Sequence, residues 1–289
     1  MKTITTLVVL ALPAAAQQST FTSETERFAW SANAGWIDFA TSRPAPGDGV
    51  RVSDTRLSGF AWSANTGWIH FGDGTPSDGI RYSNGAGDDS GVNHDGAGNL
   101  SGLAWSANTG WINFGWAVAD DPNRPRFDLL TGGFSGHAWS PNTGWINLGT
   151  GLLRTVSMAV ENSDGDGISD TWELAKTGKL AALEKGGDAD GDGRTDHEEY
   201  VADTNPLVPD QGLRVLNFSR DQTTGVNTLA WTSSPARLYV IESNPSLAPL
   251  KWEEVSTLSG SAATETSTTV FSQLNANFYR IHAKIPLAP

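Results

Sequence analysis

The strongest constraint on this chain is a twelve-residue phrase written four times. It reads FAWSANAGWIDF from Phe28, FAWSANTGWIHF from Phe60, LAWSANTGWINF from Leu103 and HAWSPNTGWINL from His137. Each copy must form the same unit and bury its apolar face against its neighbours, so repetition restricts the fold before any other consideration. Within a copy, aromatic and β-branched residues flank S-x-N-x-G, which reads as strand, turn, strand. In the second strand the isoleucine and the following phenylalanine or leucine share one face. The tryptophan and a polar residue (Asp38, His70, Asn113 or Asn147) share the other. The leading tryptophans Trp30, Trp62, Trp105 and Trp139 lie 32, 43 and 34 residues apart, so a fixed core carries variable insertions. Shorter echoes, RLSG, NLSG and GFSG, precede copies two to four, and strand-like runs such as GVRVS and PRFDLL lie upstream of them. Residues 17–160 are therefore expected to form an all-β repeat domain, with about three strands per copy, that closes as a barrel or small propeller or stacks as a solenoid.

Two placements of the second-strand tryptophans, Trp36, Trp68, Trp111 and Trp145, satisfy this pattern. In the first, isoleucine and phenylalanine fill the core and the tryptophans pack between neighbouring repeats, the economical arrangement for a motif used as scaffold. In the second, a face of tryptophan and polar residues lies open and stacks on sugar rings. The four residues would then form a ligand-binding surface for extracellular polysaccharide or cell-surface components.

The chemistry is most legible after the repeats. NSDGDGISDTWE begins at Asn162 and DADGDGRTDHEE begins at Asp188. Each segment places oxygen-bearing side chains at positions 1, 3, 5, 9 and 12, with glycine at 6. In the first loop these are Asn162, Asp164, Asp166, Asp170 and Glu173, with Gly167; in the second, Asp188, Asp190, Asp192, Asp196 and Glu199, with Gly193. Ile168 and Arg194 at position 7 would each lend a backbone carbonyl. Calcium is a hard cation that gathers six to eight oxygens at about 2.4 Å, and alternate residues of a tight loop converge on one centre. A solvated acidic linker would not repeat glycine at 6 and glutamate at 12. Two Ca2+ sites are expected, the first weaker because Asn162 is neutral.

This segment resembles the acidic calcium repeats of thrombospondin type 3 and of related bacterial surface proteins, EF-hand-like loops that lack a full entering helix. The tail EEYVADTNPLVPD is similar to the EYxxGTDPxxPD ending of bacterial versions, with Ala202 where glycine is usual. The AWSxNxGWIxF phrase looks like repeats found in exported proteins of Gram-negative bacteria, a resemblance that implies location more than activity.

Residues 211–289 contain the strand-length runs LRVLNFS, NTLAWTS, RLYVIES, KWEEVST, STTVFS and NFYRIHA, separated by turn residues. That density of short strands predicts a β-sandwich. The stretch from LAWTSS through RLYVIES to FYRI is similar to fibronectin-like C-terminal modules of the same exported proteins. The expected class is thus mostly β: a hairpin-repeat domain over 17–160, a calcium-loop segment with short helices over 161–210, and a sandwich over 211–289.

Composition narrows the function. The net charge is −13. Residues 161–203 hold thirteen acids against four bases, a net −9, so most of the imbalance belongs to the loops that calcium would neutralise. An acidic chain without a basic patch is a poor nucleic-acid binder. There is no cysteine, which removes disulfides and thiol chemistry and leaves calcium as the available staple. Residues 1–16 combine Lys2, an apolar run from Ile4 to Leu12 and the small residues Ala14 and Ala16, the pattern of a secretory signal cut before Gln17. That run is too short to span a bilayer, and no later segment is apolar enough to do so. A secreted or cell-surface location is expected. The histidines His70, His94, His137, His197 and His282 form no HExxH, and GxSxG, Walker and dinucleotide fingerprints are missing, so catalysis is not expected. A glycosidase with its two carboxylates on loops is a lesser alternative, because such a pair leaves no spacing signature. The preferred expectation is a structural or adhesive protein in which two calcium ions rigidify the joint between two β domains.

Overall fold

Each phrase forms a short antiparallel hairpin whose cross-strand register follows its letters. A computed structural model describes residues 22–40, 49–85, 87–118, 120–246, 251–271 and 278–288. The expected signal segment, 1–16, lies outside the described residues. The hairpins pair Thr22–Ser31 with Gly35–Asp38, Phe60–Ser63 with Gly67–His70, Leu100–Ser106 with Gly110–Asn113, and His137–Ser140 with Gly144–Asn147. In every one the two tryptophans face each other: Trp30 and Trp36, Trp62 and Trp68, Trp105 and Trp111, Trp139 and Trp145. Consecutive hairpins join edge to edge, and the last returns to the first through Trp30 opposite Asn147 and Ser31 opposite Ile146. Four hairpins thus close an eight-stranded barrel, and the propeller and solenoid alternatives fall away.

Closure explains the letters of the phrase. Ala29, Ala61, Ala104 and Ala138, the four isoleucines, and Phe39, Phe71, Phe114 and Leu148 are all buried inside. An eight-stranded barrel is just wide enough for its inward side chains to fill it. A gap of about 10 Å³ remains between the isoleucine and phenylalanine layers, no more than one water needs. Serine, asparagine or both from each turn grip the turn of the hairpin before. Ser63 Oγ donates to the Ala34 carbonyl at 2.5 Å, and Ser106 Oγ and Asn108 Nδ2 donate to the Thr66 carbonyl at 3.3 and 3.1 Å. Asn142 Nδ2 reaches the Thr109 carbonyl at 2.9 Å, and Ser31 Oγ and Asn33 Nδ2 both reach the Thr143 carbonyl at 3.2 Å, completing the ring. These bonds satisfy carbonyls that a tight turn leaves without a ladder partner.

The tryptophans do not pack between repeats. With the interior filled, the period-two alternation sends them outward, and Trp36 and Trp145 are about half exposed, at 53% and 50%. Trp111 is exposed and Trp68 is half-buried. Each leading tryptophan also lies opposite the polar residue of the preceding hairpin: Trp62 opposite Asp38, Trp105 opposite His70, Trp139 opposite Asn113. The result is a belt of indoles alternating with polar side chains around the outside of the barrel.

The insertions between hairpins fold over one end of the barrel. Val50, Val52, Leu57, Val92, Leu100, Phe127, Leu129 and Phe134 extend the same buried core. The S-G echo before the fourth hairpin is one point of close backbone approach. Gly136 has φ 80°, and a Cβ there would lie 2.1 Å from the Arg124 carbonyl oxygen, so no other residue fits without moving backbone.

Beyond the barrel, helix α1 (Asp170–Thr177) and helix α2 (Asp196–Ala202) share a small core of Ile168, Trp172, Leu183 and Tyr200. The C-terminal residues form two three-stranded antiparallel sheets. Val215–Arg220, Val226–Thr232 and Glu265–Phe271 make one; Glu253–Ser259, Leu238–Asn244 and Phe278–Lys284 make the other. They enclose Leu229, Trp231, Tyr239, Ile241, Val270 and Ala283, which is the expected sandwich. No helix among the described residues is long and apolar enough to cross a membrane.

Candidate metal centre

The two acidic loops are near-copies in three dimensions. Asn162 Oδ1 accepts from the Gly165 amide at 2.8 Å, and Asp188 Oδ1 accepts from the Gly191 amide at 2.8 Å. Asp166 Oδ1 accepts from the Ile168 amide at 2.7 Å, and Asp192 Oδ1 from the Arg194 amide at 2.9 Å. Gly167 and Gly193 turn the chain at φ 93° and 92°, in the left-handed region that side chains with a Cβ avoid. Ile168 and Arg194 thus stand at the same step of both turns.

In the first loop, ligand atoms of Asp164, Asp166 and Glu173 lie within 4.8 Å of one another; in the second, those of Asp188, Asp190 and Asp192 do. Glu173 and Glu199 are fully buried on the first turns of their helices. Asp170 and Asp196 brace the loops from within. Asp170 Oδ1 accepts from the Ser163 amide at 2.8 Å, and Asp196 accepts from the Ala189 and Glu184 amides at 2.9 and 3.0 Å.

The electrostatics of both loops suit a bound cation. Asp166 Oδ2, Glu173 Oε2, Asp190 Oδ2 and Glu199 Oε2 are buried without a hydrogen-bond partner, two in each loop. Leaving a carboxylate oxygen buried and unpaired is costly, and a bound divalent ion removes the cost. Burial, and then the nearby Asp190 and Asp192 carboxylates, push Glu199 up to about 7. Burial and the facing Asp166 and Asp164 also raise Glu173. All the side-chain donors are oxygens, with neither sulfur nor imidazole in either cluster, so the set suits a hard cation such as Ca2+.

Sequence reasoning did not foresee how the loops are tied to their neighbours. Ser169, the N-cap of α1, makes no side-chain cap; its Oγ instead donates to Asp54 Oδ2 at 2.7 Å. Thr171 Oγ1 donates to the same oxygen at 2.5 Å. Asp54 belongs to the insertion between the first two hairpins, and beside it the buried Arg56 pairs with Glu161 at 2.5 Å. Loop one is thereby bonded to the barrel. On the other side, Arg237 of the sandwich donates to the Tyr200 and Val201 carbonyls of α2 at 2.6 and 3.0 Å, and Ser234 Oγ donates to Asp203 at 2.5 Å. Trp172 Nε1 reaches Asp203 at 2.9 Å, and its ring meets Tyr200 edge-on, joining α1 to α2. The signal that could have found the barrel contact was Ser169 at an N-cap without glutamate three residues on. The second helix has that box, with Thr195 and Glu198 capping each other.

The family model of the Bacterial TSP3 repeat matches residues 163–178 and 188–209. The match covers the two loops and both helices but neither the barrel nor the sandwich. Comparison with curated proteins and with solved structures gave no match. The segment is similar to the bacterial TSP3 repeat, a calcium-binding type, and its acidic clusters could hold a metal ion.

Proposed function

We propose that the protein is an exported or surface-held structural and adhesive protein whose two loops each bind one calcium ion and thereby lock the barrel to the sandwich. The observation that carries this reading is the pair of orphaned carboxylate oxygens in each loop, in a segment that is hydrogen-bonded to both β units. Calcium would neutralise those oxygens and fix the turns from which Ser169, Thr171, Tyr200 and Val201 make their bonds. Metal binding and docking are then a single folding event. Export suits such a device, because calcium is abundant outside cells and even millimolar loops fill there.

Calorimetric titration of the full chain with calcium, paired with thermal melting with and without chelator, tests the reading. Two binding events and a large rise in melting temperature are expected. Absence of calcium binding, or binding that leaves the melting temperature unchanged, sinks it.

A further inference from the structure

Trp116 lies outside the fourfold phrase but beside its belt of tryptophans. After the last core residue of each hairpin the chain runs Ala40–Thr41, Gly72–Asp73, Gly115–Trp116 and Gly149–Thr150, so Trp116 occurs in the third copy alone. Its Nε1 donates to the His137 carbonyl at 2.6 Å, which pins the indole across the start of the fourth hairpin. There it meets Trp145 edge-on, with ring centroids 4.8 Å apart and planes at 66°. The His137 ring meets the same indole at 6.3 Å. Trp116, Trp145, His137 and Asn123 line a cleft of about 270 Å³.

We infer that this cleft binds a single pyranose ring of an uncharged polysaccharide. Its volume falls just below the ~300 Å³ at which pockets for drug-sized molecules begin, so its occupant is about one ring in size. Two indoles set at a corner offer an apolar floor and wall, which match the C–H faces of a pyranose. The exposed Asn123 carboxamide makes no hydrogen bond among the described residues and can meet equatorial hydroxyls with both donor and acceptor. Among the described residues the lining contains no carboxylate, ammonium or guanidinium, and the chain carries −13 overall. A neutral ligand is therefore complementary, while polyanions and anionic lipid surfaces are repelled. The indole of Trp116 is held before any ligand arrives, so little side-chain freedom is lost on binding. The neighbouring belt, through Trp139 opposite Trp145, continues the aromatic surface for further units of the same chain. This reading is independent of the calcium loops.

Affinity electrophoresis of the full chain in saturating calcium, through gels containing hydroxyethyl cellulose, laminarin, galactomannan, glycogen or dextran sulfate, tests the inference. Retardation by at least one neutral polysaccharide and none by dextran sulfate is expected. Trp116→Ala and Trp145→Ala should each raise the retardation constant tenfold or more. Trp116→Phe, which keeps a ring but loses the anchoring N–H, should fall between them and the parent. Trp62→Ala, in another hairpin, should stay within twofold, and melting curves of all four variants show whether the barrel is intact. A flat response across the neutral panel overturns the inference, as does retardation that survives both cleft variants. Sedimentation with phosphatidylcholine vesicles that Trp116→Ala abolishes would overturn it too, reassigning the cleft to a membrane interface.

Discussion

The buried glutamates at loop position 12 oppose two requirements of the metal-free chain: they must be out of water, and they sit among other carboxylates. Glu173→Gln and Glu199→Gln keep the shape and remove the charge. Each should weaken calcium at its own loop at least tenfold, because a bidentate carboxylate is lost. Each should also stabilise the calcium-free protein by about 1 kcal/mol, since the buried charge is gone. Titration and denaturant unfolding of the same variants read both effects, and a variant that loses stability without calcium contradicts the account. The pH dependence follows from the same residue. Glu199 titrates at about 7 in the folded metal-free chain against an ordinary 4.5, so folding favours its protonated form. That contribution is fully present below 4.5 and is lost as pH rises through 7. Melting temperature in chelator should therefore rise from pH 7.5 to 5.5, and the rise should shrink in Glu199→Gln. The increment added by calcium should fall over the same range, because the ion needs the ionised form. At this scale the acidic clusters were legible because the spacing of their side chains is a local property that twelve residues suffice to show. Asp170 and Asp196 were less legible, because their use as internal braces depends on amides of Ser163, Glu184 and Ala189 that only the folded loop brings near.

Among the elements, the hairpins show where pattern reading works and where it stops. Period-two alternation assigned isoleucine and phenylalanine to the interior, and Ile37, Ile69, Ile112 and Ile146 are all buried there. The same alternation could not say whether the opposite face meets another repeat or solvent. That depends on closure, a pairing between Ser31 and Ile146 that are more than a hundred residues apart. Nor could spacing show that serine and asparagine of one turn grip the carbonyl of the turn before, since those bonds run between copies. The two faces now make opposite predictions. Ile112→Ala should cost about 2–5 kcal/mol, because it empties a closed interior. Trp111→Ala, one residue away, should cost less than about 1.5 kcal/mol, limited to its edge-on contact with Trp105 at 4.7 Å. Chemical denaturation of both variants decides the matter. Equal losses would mean that the tryptophan belt carries the barrel and is not a free surface.

The molecule as a whole is a chain of dockings in which calcium has leverage because its loops lie in the middle. The barrel reaches loop one through Asp54, and the sandwich reaches α2 through Arg237. The two β units also meet directly, where the Met158 amide donates to the Leu287 carbonyl at 2.8 Å and Leu238 joins the barrel core. The segment's own core consists of four buried side chains, too few to hold its backbone against the entropy of some forty residues. In chelator the loops should loosen first, and the barrel and sandwich should then melt independently. Scanning calorimetry is expected to show one cooperative transition in calcium and two or more in chelator. Asp54→Ala sharpens the test, because Asp54 touches no candidate ligand yet holds both Ser169 and Thr171. It should leave calcium binding at loop two unaltered and weaken loop one several-fold. It should also split the calcium-loaded transition, as chelator does. Limited proteolysis should show the same order, with cleavage between Asn162 and Asp203 before any within the barrel. If Asp54→Ala melts as one transition in calcium and keeps full affinity at loop one, the metal stabilises only its own segment, and the coupling of the two β units resides elsewhere. A split transition with intact loop two would place the coupling in two hydroxyls and one carboxylate. The acidic loops would then be the means by which a chain without cysteine holds its domains in register.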